Sequence, residues 1–221
     1  MSRFAIAIAL ALVASLTTTA LASRAYVPTT GFARAPELTE MDLPAGVALP
    51  QRFMDRASIR AKLVEQRAAN LARFRAYQKA GVFPVNTVRP GKLNVWIDDE
   101  GHICAAATII KMSGLDELVQ RTGEQTNFIR LANVKQGPLM DWMLTSGFTQ
   151  EEIAAIQAPF AYPGDESDAI NEQQRALETA RLTKLYKQVT AKLVKNQKAS
   201  IEIAVSRVMK HPELAWRLLD A

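Results

Sequence analysis

Apolar and polar residues alternate at only one place in this chain of 221 residues. Leu93, Val95 and Ile97 alternate with Asn94, Trp96 and Asp98, and Asp98-Asp99-Glu100-Gly101 supplies turn chemistry before His102-Ile103-Cys104. A two-residue period followed by a turn predicts a short β-hairpin. Elsewhere apolar residues recur every three or four positions, the spacing that places them on one face of a helix. A chain built this way forms its core helix on helix. The expected fold class is therefore mainly α: a helical body with one small β-hairpin and a long cationic amphipathic helix near the C-terminus.

Four zones divide the chain. Met1-Ser2-Arg3 is a short basic start, Phe4 to Leu16 is an apolar run, and Ala20 and Ala22 stand at −3 and −1 before Ser23. This is the layout of a secretory signal peptide over residues 1–22. The run is shorter than the roughly 20 apolar residues needed to cross a bilayer as a helix, and no cysteine lies nearby to carry acyl chains. The expectation is cleavage after Ala22, export to the periplasm or the extracellular space, and no membrane anchoring afterwards. Cytosolic roles such as ATP-driven reactions, nicotinamide cycling and transcription drop out with that address. Residues 23–50, with prolines at 28, 36, 44 and 50, read as an extended arm. Residues 51–160 read as a helical body containing the hairpin, and residues 161–221 as a C-terminal helical segment. The apolar content of 48% suffices for a buried core. The one cysteine, Cys104, permits no intramolecular disulfide, so stability must come from packing.

Within the body, Ile59, Leu63, Phe74 and Tyr77 share one stripe of a long first helix spanning 51–80, with Gly81 as its stop. Residues 104–112 carry both helix and strand preferences, Ala105-Ala106-Ala107 against Thr108-Ile109-Ile110; helix is preferred, ending at Gly114. Short helical turns are expected over 115–121 and 128–134. Pro138 opens a helix that closes before Gly147, and Thr149-Gln150-Glu151-Glu152 is a capping box that starts a helix through Gln157. Leu139, Trp142, Met143, Ile153 and Ile156 are placed to close an αα-hairpin. A long helix follows over 168–197, with acids crowding its start and bases its end, as the helix dipole favours. On its wheel Leu182, Leu185, Tyr186, Val189 and Leu193 form an apolar arc opposite Arg181, Lys184, Lys187, Lys192, Lys195 and Lys198. Residues 201–209 continue as a helix, and Pro212 opens a final short one bearing Trp216.

Several features bear on function. Residues 147–155 resemble part of a helix-turn-helix reader, but Ala158-Pro159 and Tyr162-Pro163 stand where a recognition helix should follow; no nucleic-acid partner is expected. Charge is segregated: residues 51–79 hold eight Lys/Arg against two acids, and residues 181–198 hold six against none. Such faces suit anionic headgroups or another acidic polymer, the plainer reading being a solvated face that keeps the protein soluble or pairs with the acidic segments. Cys104 is the one candidate nucleophile. A hairpin handing over to a helix there would lower its thiol pKa, with His102 or His211 as base; the plainer reading is a small buried thiol. Asp98-Asp99-Glu100-Gly101 lacks the ligand spacing of a calcium loop, and two histidines and one cysteine do not make a zinc site. No metal and no cofactor are expected.

Phe83-Pro84-x-Asn86, Trp96-x-Asp98-x-x-Gly101-x-x-Cys104-Ala105, Ser113-Gly114 and Trp142-x-x-x-Ser146-Gly147-x-Thr149-x-x-Glu152, with Ile156-Gln157, resemble a set of exported bacterial proteins of unknown function. The resemblance spans about residues 60–160. It implies export and a shared body, and it transfers no catalytic or binding residue. The reading that results is an exported protein acting through binding or structure on an envelope protein or anionic surface polymer. The alternative is a cysteine-dependent hydrolase or transferase using Cys104 with His102 or His211.

Overall fold

The computed structural model describes residues 55–164 and 168–220. The expected leader over 1–22 and the expected arm over 23–50 lie outside the described residues. Eight α-helices and one two-stranded antiparallel sheet make up the described body, so the fold is mainly α as the periodicity predicts.

Helix α1 (Arg56–Ala80) is the central element. The Asp55 carboxylate accepts from the amides of Ala57 and Ser58 at its start, and Gly81 ends it with φ 67°. Its inward stripe holds Ile59, Leu63, Leu71, Phe74 and Tyr77, and it packs on α2 (Ala105–Met112), α6 (Asp168–Lys195), α7 (Gln197–Val208) and α8 (Pro212–Asp220). Two polar side chains, Arg67 and Asn70, interrupt that stripe and are nevertheless buried. Between α2 and α6 the chain forms α3 (Asp116–Thr126), a 3₁₀ turn at Leu131–Asn133, α4 (Pro138–Thr145) and α5 (Gln150–Ile156). Thr149 and Glu152 form the expected capping box at the start of α5.

Three elements differ from expectation, each for a local reason. The two-stranded sheet is not formed within 93–104. Strand β1 (Lys92–Leu93) pairs with β2 (Phe160–Ala161), register Leu93 to Phe160, and the expected hairpin is reduced to a single bridge between Ile97 and Ile103. The ladder stops there because Cys104 O accepts from Thr108 N at the start of α2 and Trp96 N is turned to another partner. Trp96 N donates to Asn127 O, and the Asn127 side chain brackets Ile97 by accepting from its amide at 2.9 Å and donating to its carbonyl at 2.8 Å. Residues 128–134 form only one 3₁₀ turn because two glutamines replace the helical partners. Gln157 accepts from Leu131 N and donates to Ile129 O, while Gln150 donates to Leu131 O and Val134 O. The C-terminal helices meet at Asn196, where the Leu193 carbonyl accepts from the Arg67 guanidinium at 2.7 Å. An intruding donor at a carbonyl near the end of α6 marks the place where the helix stops and α7 begins.

The Arg67 site ties these helices together. Its guanidinium makes a bidentate pair with Glu152 at 2.7 and 2.8 Å, donates to Gly147 O at 2.9 Å and lies 4.9 Å from the Phe148 ring centre. Ser200 Oγ donates to the same carboxylate at 2.7 Å. Helices α1, α5, α6 and α7 thus share one buried charge pair.

Candidate functional site

Cys104 stands at the N-cap of α2, where its sulfur accepts from Ala107 N at 3.5 Å. A helix N-terminus normally favours the thiolate. Here the residue is wholly buried, and desolvation outweighs the amide contacts, so the thiol is pushed up to about 12. Among the described residues neither imidazole forms a hydrogen bond with the sulfur. His211 is exposed at the corner between α7 and α8, where its carbonyl accepts from Leu214 N and Ala215 N. The three residues that sequence reasoning grouped by chemistry therefore have separate surroundings: a core, a cavity and a helix corner.

His102 is the one that faces an open space. Its Nδ1 lies 3.1 Å from Asp98 Oδ2. The Asp98 carboxylate, 2% exposed, also accepts from the amides of Val85, Glu100 and His102. Gly101, with φ 83°, lets the loop return so that these amides converge. His102 Nδ1 also lies 3.8 Å from Glu100 Oε2, so the imidazole stands beside two carboxylates of one turn. The imidazole is 33% exposed and borders a cavity of about 420 Å³ between segment 81–85, the turn at 98–102, the end of β2 and the first half of α6. Across the cavity Arg175 on α6 reaches Glu100 on the turn at 3.3 Å. Deeper in, Glu178 accepts from Arg181 at 2.6 Å and from Ala161 N at 2.9 Å, and Arg181 donates to Pro159 O, which fixes β2 on α6. Burial pushes the Glu178 carboxyl up, but those hydrogen bonds outweigh it and hold the group below its ordinary range.

The second surface is the outer face of α6. Leu182, Tyr186, Val189 and Leu193 are buried as the wheel predicts, and Lys184, Lys187, Lys192, Lys195 and Lys198 are all exposed. Among the described residues none of these five lysines meets a carboxylate, whereas arginines 56, 60, 67, 121, 175, 181 and 217 are each in an ion pair. Lys111 does meet Asp116, at 3.6 Å, but lysines 184, 187, 192, 195 and 198 face no described acid, and that surface keeps its charge uncompensated.

Sequence reasoning missed Arg67 and the α6 contribution to the cavity. Arg67 had a signal: it stands four residues from both Leu63 and Leu71, in the apolar stripe itself. Arg175 and Leu177 had none, because only the pairing of β2 with β1 brings α6 over the turn at 98–102. No described helix is long and apolar enough to cross a membrane, and no group of three or more His, Cys, Asp or Glu among the described residues is arranged to hold a metal. In comparisons with known proteins, no family model, no curated protein and no solved structure matches this chain.

Proposed function

We propose that this chain is an exported binding protein that engages an anionic component of the cell envelope, a phosphate- or carboxylate-bearing polymer or headgroup, through the lysine face of α6. The observation that carries this reading is the uncompensated charge. Five exposed lysines along one end of α6 and the start of α7 meet no acid, while nearby arginines do. Each lysine near an anionic surface contributes about 1 kcal/mol at moderate salt. Lys184, Lys187 and Lys195 point outward together, so about 3 kcal/mol is available, a change of roughly two orders of magnitude in retention. The leader over 1–22 supports the address in which such a surface would be met.

Cysteine chemistry is the weaker alternative. A thiol that is buried and pushed up to about 12 offers neither access nor thiolate near neutral pH.

The test is co-sedimentation of the protein beginning at Ser23 with vesicles of zwitterionic lipid alone or with added anionic lipid, and with lipopolysaccharide. Retention on the anionic surfaces at low salt, lost at high salt and in a Lys184→Gln, Lys187→Gln, Lys195→Gln variant, supports the reading. Equal behaviour of the variant and the unsubstituted protein on every surface would refute it.

A further inference from the structure

A groove of about 520 Å³ runs along the junction of α5 with α6 and α7. It exists because the residues that α5 and α7 turn to it are small: Ala154, Ala155, Ala158 and Ala199 present nothing beyond Cβ. Val189 and Leu193 form its buried wall on α6, and Leu185 is half-buried beside Pro159 at one end. Ile203, 48% exposed, stands at the other end, where the groove continues toward Arg207. The inner polar groups are already satisfied. Thr149 Oγ1 accepts from Glu152 N, and the Glu152 carboxylate is held by Arg67 and Ser200. What stays open is charge at the rim. Lys192 lines the groove, alone among the five exposed lysines, and meets no described acid. At the far end Arg207 donates to the Gln150 amide oxygen at 3.4 Å and likewise meets no described acid. Glu151 is the one rim acid without a described partner, and it lies in the first turn of α5, where the helix dipole favours it. Two cations against one acid leave the groove and its continuation positive.

We propose that this groove binds a single medium-length acyl chain ending in a free carboxylate, with the head at Lys192 and the chain laid over Ala155 and Ala158 toward Leu185. From Lys192 to Leu185 the wall is about 10 Å long at the rise of an α-helix, the reach of such a chain. This direction leads the chain away from Glu151 and into the apolar end. An acyl chain carries no polar group along its length, whereas an extended peptide would bring amides and carbonyls that the satisfied interior has nothing to meet. A mainly apolar lining with one placed charge is the usual make-up of a small-molecule site, and the volume lies within the range of such sites. Lys184, Lys187 and Lys195 do not line the groove, so the inference stands apart from the lysine face that those three define.

The test compares decanoate with hexanoate, which has the charge on a shorter chain, and with 1,2-decanediol, which has the chain and no charge. Each is kept monomeric and titrated into the protein beginning at Ser23, with calorimetry and methyl NMR signals as readouts. Decanoate should shift the signals of Ala155, Leu185 and Val189. It should bind at least about tenfold more tightly than hexanoate and about threefold more tightly than the diol. Lys192→Gln should erase the preference for charge and keep the preference for length. Ala155→Leu, at an exposed position where leucine is a good helix former, should fill the groove and weaken decanoate about tenfold. The Lys184→Gln, Lys187→Gln, Lys195→Gln variant should bind decanoate unchanged, which separates this site from the lysine face. The proposal is overturned if decanoate leaves the three signals unmoved at millimolar concentration, if hexanoate binds as tightly, if Lys192→Gln keeps the preference for charge, or if a folded Ala155→Leu variant binds decanoate unchanged.

Discussion

Gly147 and Gly81 offer a paired test of how the body is packed. Both have positive φ, 78° and 67°, a conformation that costs a residue bearing Cβ about 1–2 kcal/mol. Replacing glycine also removes freedom from the unfolded chain, which returns about 0.4–1 kcal/mol. At Gly81 a Cβ meets nothing within 4 Å, so Gly81→Ala should destabilise by about 1 kcal/mol or less. At Gly147 the same atom would lie 2.3 Å from Leu63 O, 2.8 Å from Arg67 N and 2.7 Å from Arg67 Cβ. Two of these are backbone atoms of α1 and cannot rotate away, so α1 and the α4–α5 turn must separate. The Gly147 carbonyl that accepts from Arg67 would move with them. Overpacking adds about 1–3 kcal/mol and a strained buried charge contact adds more, for a total of about 3–5 kcal/mol. That is a large part of the 5–15 kcal/mol that holds a typical domain together. Urea unfolding followed by far-UV circular dichroism reads both variants on one scale, with m-values checking that the two transitions are comparable. Equal loss in the two variants would mean that α1 does not approach the α4–α5 turn this closely, and the packing described here would be wrong.

Other predictions follow from single sites. Arg67→Ala leaves Glu152 buried without its partner and should cost about 3–5 kcal/mol in the same unfolding assay; a loss below 1 kcal/mol would show the pair to be hydrated. Asn127→Ala strips both hydrogen bonds from Ile97 and should cost about 2–3 kcal/mol, with loss of hydrogen-exchange protection at the Ile97 amide as the local readout. Cys104 should resist iodoacetamide near neutral pH until denaturant is added, and prompt stoichiometric labelling of the folded protein would contradict its burial. The Glu178 carboxyl is held below its ordinary value of 4.5 in the folded state, so its contribution to stability is present above pH 4.5 and fades as pH falls below it. Glu178→Gln should flatten that part of the acid-unfolding profile, and an unchanged profile would contradict the assignment.

How far a residue could be read in advance depended on how local its cause is. The helices at 56–80, 138–145 and 150–156 follow from caps, glycine stops and apolar spacing, all of which lie within a few residues of the element they govern. The strand pairing and the 3₁₀ turn at Leu131–Asn133 depart from local pattern because distant segments take backbone groups: the Asn127 carbonyl accepts from Trp96 N, and the Gln150 and Gln157 side chains bind the backbone over 129–134. The candidate site divides in the same way. His102 is a candidate because it stands two residues from Cys104, and its Asp98 partner lies within the same turn. Arg175 and Leu177 enter only through tertiary folding.

The pattern Trp96-x-Asp98-x-x-Gly101-x-x-Cys104-Ala105 carries the resemblance to exported bacterial proteins, and the structure gives its members folding tasks. Trp96 is fully buried and donates from its indole to Val119 O at 2.9 Å. Asp98 gathers the turn, Gly101 permits it, and Cys104 N donates to Trp96 O at 3.0 Å just as its sulfur caps α2. Ser146 donates to Met143 O and accepts from Phe148 N, Gly147 clears space for α1, and Glu152 holds Arg67. Residues whose polar groups are satisfied by their own backbone have none to offer a substrate. Function in such a chain is therefore to be sought in groups the fold leaves unmatched, and the exposed lysines of α6 and the start of α7 are such a set. They lie outside the pattern altogether.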